Sequence, residues 1–184
     1  RDGLKYNVVK IGTQTWMAQN LNFRNSIGNS DTVGACYGLS DTSCTTYGRL
    51  YAWAEVMAGH ESSTASPSGV QGICPIGWHV PSDAEWGVLK TAIGGESSAG
   101  IKLKSTSGWS SGNSTDAFHF RALPAGLRPY STSFNYLGSY AYFWSSSDDG
   151  TISAWAHYLY SGYNTLTRFY FDKNHGFSVR CIKD

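Results

Sequence analysis

An α+β domain with two helices, small antiparallel sheets, long irregular loops and two disulfides is the fold class that this 184-residue sequence predicts. Three observations carry it. Helical periodicity is confined to two segments in the first half of the chain. After residue 96 come short aromatic and β-branched segments separated by Gly, Ser and Asp turns. Four cysteines sit in a chain of low charge. Helices early and strands late make an α+β arrangement. Nothing repeats at a fixed period and no linker divides the chain, so residues 1–184 read as one domain, large enough to bury a real core.

The elements follow in order. Leu4, Tyr6 and Val8 alternate, and Gly12-Thr13 is a turn, so a hairpin is expected from Tyr6 to Ile11 and from Gln14 to Ala18. Residues 24–48 are polar and read as an irregular loop. Arg49 to Ala58 reads as a helix with Leu50, Trp53, Ala54 and Met57 on one stripe and Gly59 at the C′ position. A second loop covers 60–72. Ser82 and Glu85 then form a capping box, Pro81 is placed to pack on Trp86, and Trp86, Leu89 and Ile93 make a buried stripe that Gly94-Gly95 ends. Beyond it KLKSTSGW (102–109), FHFRALPAGLR (118–128), YAYFWSSS (140–147), SAWAHYLY (153–160), LTRFYFD (166–172) and GFSVRCIKD (176–184) read as short strands. SAWAHYLY, LTRFYFD and FSVRCI are spaced for one small antiparallel sheet.

Composition excludes several function classes. A net charge of +1 with only 15% charged residues lacks the concentrated Lys and Arg that nucleic acid or an anionic membrane surface requires. No apolar run approaches the ~20 residues of a membrane span. The sequence begins at Arg1 without Met or an apolar leader, which reads as a mature fragment or an excised domain. Seven Trp and twelve Tyr are more than one core easily hides, and such amphipathic rings suit half-wet binding faces.

Cys36, Cys44, Cys74 and Cys181 allow three pairings. An even count in a charge-poor, Ser- and Gly-rich chain predicts two disulfides and an oxidising, extracellular location. A local Cys36–Cys44 bridge across a short polar loop is the economical pairing. No CxxC pair occurs and no His lies at a zinc-like offset, so neither a metal nor any other cofactor is expected.

Six segments, VVKIGTQTWMAQNLNF (8–23), YGRLYAWAEVM (47–57), GICPIGWHVPSDAEW (72–86), FRALPAGLR (120–128), YFWSSS (142–147) and GFSVRCIKD (176–184), together resemble the Fibrobacter succinogenes major paralogous domain of secreted and surface proteins in Fibrobacter and Bacteroidetes. The resemblance runs from end to end. It implies a C-type-lectin-like fold, related in outline to formylglycine-generating enzymes, and a role in adhesion or cell-surface binding. That fold implies a Cys74–Cys181 bridge from the segment before a helix to the last strand, with the region from about 96 to 150 as a variable loop surface.

Calcium-dependent lectins of that fold use EPN or QPD and WND triplets, and none is present. Asp148 and Asp149 are the nearest acidic pair and only weak calcium candidates, with Asp172 after another strand; turn formation explains all three. Formylglycine generation needs a thiol pair where Cys181 stands alone. Glu55, Glu61, Glu85 and Glu96 single out no pair for glycoside hydrolysis, and no GxSxG elbow occurs. His79 is expected to lock the turn before its helix. The expectation is therefore a non-catalytic binding domain. Its partner is expected to be a polysaccharide or surface glycan bound without calcium, with other surface proteins as the alternative. The aromatic run at 128–144 supplies the candidate contacts Arg128, Tyr130, Phe134, Asn135, Tyr136 and Tyr140, and 154–164 is the next richest run. Trp144 and Trp155 are expected in the core.

Overall fold

The structure, a computed structural model, describes residues 3–24, 33–130 and 133–184. Strands β1 (Val8–Ile11) and β2 (Gln14–Met17) form the expected hairpin, with Ile11 opposite Gln14 across a two-residue turn. Gly12 takes φ +59°, and a Cβ there would meet the Ala92 Cβ at 2.9 Å, so both backbone and space demand glycine. Val8 of the expected alternation is exposed; Ile11, Trp16 and Met17 are the buried residues.

The chain then departs from expectation. Helix α1 (Asp41–Tyr47) lies in the stretch read as loop. Its Thr- and Ser-rich sequence has poor helix propensity, but Cys44 within it is bonded to Cys36. Helix α2 (Trp53–Met57) is the remnant of the helix expected from Arg49. Leu50 and Tyr51 are extended and pair with Ala35 and Phe177. Glu55 starts the helix by accepting the Ala52 N–H at 2.7 Å. Ala54 is exposed and Val56 takes its place in the core.

Strand β3 (Trp78–His79) leads into helix α3 (Asp83–Ala92). The Ser82 hydroxyl accepts the Glu85 N–H at 3.2 Å and the Glu85 carboxylate accepts the Ser82 N–H at 2.9 Å, the expected reciprocal cap. Trp86, Leu89 and Ile93 are buried. Helix α4 (Glu96–Leu103) was not expected. It is short and Ser/Gly-rich, and Gly100 is needed because the Asn164 backbone passes 2.6 Å from where a Cβ would stand. The described residues thus hold four α-helices rather than two.

Three strands carry the C-terminal half: β4 (Tyr140–Asp148), β5 (Ser153–Tyr160) and β6 (Thr167–Asp172), antiparallel in that order. Residues 102–109 and 118–128 supply only the end of α4 and isolated bridges at Lys104, Ala122 and 126–128. GFSVRCIKD does not join SAWAHYLY and LTRFYFD as a third strand. Its β7 (Ile182–Lys183) lies between β2 and β3 in the other sheet, ordered β1-β2-β7-β3.

Strand β4 divides the core. Phe143 joins Trp16, Trp86, Leu89, Phe120 and Ile182 on one side, while Trp144 joins Tyr51, Trp53, Val56 and Phe177 on the other. Burial on both faces explains why its sequence does not alternate. Each such large side chain contributes about 1.5–3 kcal/mol. The three serines 145–147 form a bulge, since Trp144 faces Ala156 but Asp148 faces Ala154. Their polar groups are satisfied there: the Ser145 hydroxyl donates to Trp155 O at 2.8 Å and that of Ser147 to Ser63 O at 2.7 Å. The second disulfide is Cys74–Cys181, both sulfurs in the core.

Candidate functional site

Cross-strand partners project to the same face of a sheet, and the registers here place Tyr140 opposite Tyr160, Tyr142 opposite Tyr158, Ala156 opposite Phe169 and Ala154 opposite Phe171. One face of the β4–β5–β6 sheet is therefore paved with rings. Tyr140 stacks on Tyr160 at 4.5 Å between centroids and 23°, and on Tyr142 at 5.4 Å and 9°. Tyr142 meets Phe171 at 5.5 Å, and Phe171 meets Phe169 at 5.4 Å. Tyr136 and Tyr163 extend the paving at its edge, 5.2 Å from Tyr140 and 5.0 Å from Tyr160. Tyr142 sits on the core, whereas Tyr163 is 60% exposed, Tyr136 54% and Phe169 47%. Burial, reinforced by neighbouring phenols, holds the Tyr140 and Tyr142 hydroxyls above the usual tyrosine pKa. They stay neutral, able to donate and accept.

The six residues singled out from the sequence are not brought together as one site. Tyr136 and Tyr140 belong to the paved face. Arg128 pairs with Gly176 through the backbone, and Tyr130, 65% exposed, lies beside His175 and donates from its hydroxyl to Asp172. Phe134 packs on Tyr37 at 5.3 Å, and exposed Asn135 is a backbone partner of Leu127. Trp144 is in the core, but Trp155 is not: it is half-buried on the opposite face, with the Arg168 guanidinium 3.2 Å above its ring. Tyr158, Tyr160 and Tyr163 lie in the second aromatic run without having been singled out. Phe169 and Phe171 were missed, because only the register reveals which side of β6 they occupy.

Of the acidic pair, the Asp148 carboxylate is already engaged. The Lys173 ammonium donates to Asp148 Oδ2 at 3.0 Å and to Gly150 O at 2.7 Å, and lies 4.4 Å over the Trp53 ring. Burial would raise the Asp148 carboxyl, but the hydrogen bonds from Lys173 and Ser62 outweigh it and hold it low. Asp149 closes the turn through its N–H to Ser153 O.

The family model described as the Fibrobacter succinogenes major domain matches residues 9–183. The chain belongs to this family. No curated protein and no solved structure matches it.

In this Fibrobacter succinogenes major domain the GWHVPSDAEW segment pairs with the C-terminal strand, Trp78 opposite Lys183 and His79 opposite Ile182. His79, 3% exposed, is bound on both sides, Nε2 to Glu85 at 2.8 Å and Nδ1 to Asp184 at 2.7 Å. Burial lowers its pKa, but the hydrogen bonds to Glu85 and Asp184 outweigh that and raise it. His79 thus holds the chain entering α3 against the C-terminal strand. Arg180 is wholly buried and spans the two cores. It donates from Nε to Asn20 Oδ1 at 2.7 Å, and from its Nη atoms to the carbonyls of Met17 and Arg121 at 2.9 Å and of Phe120. Among the described residues, no helix is long and apolar enough to cross a membrane.

Proposed function

We propose that this domain is a non-catalytic extracellular binding module that recognises a polysaccharide or surface glycan, without calcium, through the aromatic face of the β4–β5–β6 sheet. The observation that carries the reading is the exposure gradient on that face. Rings anchored in the core at Tyr142 lead outward to Tyr136, Tyr163 and Phe169, each about half open to water. Sugar rings stack on flat aromatic surfaces held rigid in this way, and neutral phenols supply hydrogen bonds to hydroxyls. The two disulfides favour an oxidising compartment. We also read the architecture as C-type-lectin-like, since β1, β2 and β7 bring both chain ends into one sheet and Cys74–Cys181 ties that sheet to the segment before α3.

A glycan array combined with pull-down on insoluble polysaccharides identifies the ligand, and variants of the paved face test the site. Tyr163→Ala with Phe169→Ala removes two exposed rings without touching the core. The expected outcome is an unchanged melting temperature, loss of affinity on the order of tenfold or more, and binding indifferent to EDTA. An EDTA-sensitive ligand, or full affinity in the double variant, overturns the reading.

Protein–protein contact is the second reading, favoured by one observation. Strand β6 is the outer strand of its sheet and exposes Phe169 and Tyr170, each 47%, and an exposed aromatic edge is a template for strand addition from a partner.

A further inference from the structure

We infer that the cleft between the N-terminal hairpin and helix α1 is a second binding site, specific for an acidic sugar residue. The cleft has a volume of about 480 Å³, and its polar lining includes Lys5, Gln19, Asn22, Thr45, Thr46 and Arg121. Among the described residues, no Asp or Glu lines it. Neither Lys5 nor Arg121 takes part in an ion pair among the described residues. Two cations lining one concavity favour an anion entering it, although the Asp116 carboxylate sits on the Arg121 backbone.

Arg121 is held there by force. Its φ is +55°, and Asp116 and His119 before it take +47° and +53°, a left-handed conformation rare outside glycine. The peptide is tethered on both sides: the Arg121 N–H donates to Asp116 Oδ1 at 2.8 Å, and buried Arg180 donates to the Arg121 carbonyl at 2.9 Å. Strain of this kind persists where surrounding structure over-determines it, and it clusters at ligand sites. On the facing wall the Asn22 side-chain oxygen is buried without a donor, while its backbone N–H is bound to the Tyr6 hydroxyl at 3.0 Å. A buried acceptor left unpaired costs free energy. Rotation about its soft terminal torsion brings it to a ligand hydroxyl with no internal hydrogen bond to break.

These groups define the ligand. Lys5 and Arg121 ask for a carboxylate, whereas Asn22, Gln19 and the two threonines ask for hydroxyls beside it. A uronate residue carries both. An inorganic anion leaves the amides and hydroxyls unused, and a neutral sugar leaves the cations unpaired.

Isothermal titration of the intact domain with an oligogalacturonate and with the neutral oligogalactoside of equal length tests the site, with sodium sulfate as competitor. The acidic oligomer binds at least about tenfold tighter at low ionic strength, and added salt narrows the difference. Lys5→Gln with Arg121→Asn removes both charges while Asn tolerates the left-handed backbone, and it abolishes the preference. Should Arg121→Asn lower the melting temperature, Lys5→Gln alone, at an exposed position, still weakens the acidic oligomer selectively. The Tyr163→Ala, Phe169→Ala variant keeps the preference, which separates failure of this site from failure of the aromatic face. Equal binding of the two oligomers, binding of neither, competition by sulfate as strong as that by uronate, or retention of the preference in the charge variants overturns the inference.

Discussion

Arg180 is the residue on which most of the interior depends. Its guanidinium is wholly buried, with four acceptors around it, the Phe120 ring 4.6 Å away, and, among the described residues, no carboxylate hydrogen-bonded to it. Burial pulls its pKa down to about 9, so it remains charged at neutral pH. A buried cation satisfied by carbonyls and an amide is costly to lose, because each acceptor is then left without a donor. Arg180→Met is expected to cost ~1–3 kcal/mol for each acceptor left without a donor and to lower Tm by on the order of 10 °C, read by thermal denaturation. A variant that melts with the wild type shows that these acceptors find other donors. Nothing local in GFSVRC announces this role. An Arg among apolar residues reads equally well as the outward side of a strand, and its partners lie as far as 163 positions away.

At the scale of elements, α3 shows both what local sequence settles and what it leaves open. Its cap and apolar stripe were legible, because capping and the 3.6-residue period involve neighbours in the chain. Its attachment to the sheet was not. Asp83 in the first turn accepts from His157 on β5 at 3.0 Å and from Arg168 on β6 at 2.8 Å. Burial would raise its pKa, but the hydrogen bonds from His157 and Arg168 outweigh that and lower it from 3.8 to about 2. Burial keeps His157 itself below the usual histidine pKa. The folded pKa of Asp83 lies below the unfolded one, so the stabilisation is present above about pH 4 and is lost as pH falls toward 2. It amounts to on the order of 2 kcal/mol. Urea unfolding at a series of pH values should find Asp83→Asn less stable than wild type at pH 5 and the two converging near pH 2. A gap that persists at pH 2 assigns the loss to packing instead.

For the molecule as a whole, the two disulfides act unequally. Cys74–Cys181 spans 107 positions and joins the chain before α3 to the C-terminal segment, whereas Cys36–Cys44 spans 8. Loop-closure entropy assigns about 4–5 kcal/mol to the first and about 2–3 to the second. Replacing Cys74 and Cys181 with Ser is expected to lower denaturant stability by roughly twice as much as replacing Cys36 and Cys44. Equal losses indicate that the short bridge also supports α1, whose own sequence is a weak helix former.

Legible in the residues alone were the α+β class, the hairpin at Gly12, the capped helix after Ser82, the strands within 140–148, 153–160 and 167–172, and the family. Each of these depends on turn chemistry, periodicity or motif spacing that a few adjacent residues carry. Long-range packing made α1 and α4 helical, kept Leu50 and Tyr51 extended, left Trp155 outside the core, and brought six aromatics from three strands, Tyr140, Tyr142, Tyr158, Tyr160, Phe169 and Phe171, to one face. Those outcomes rest on contacts between distant segments. A bridge to Phe177 competes with helix at Tyr51. A one-residue change in register would turn every ring of β6 to the other side of its sheet.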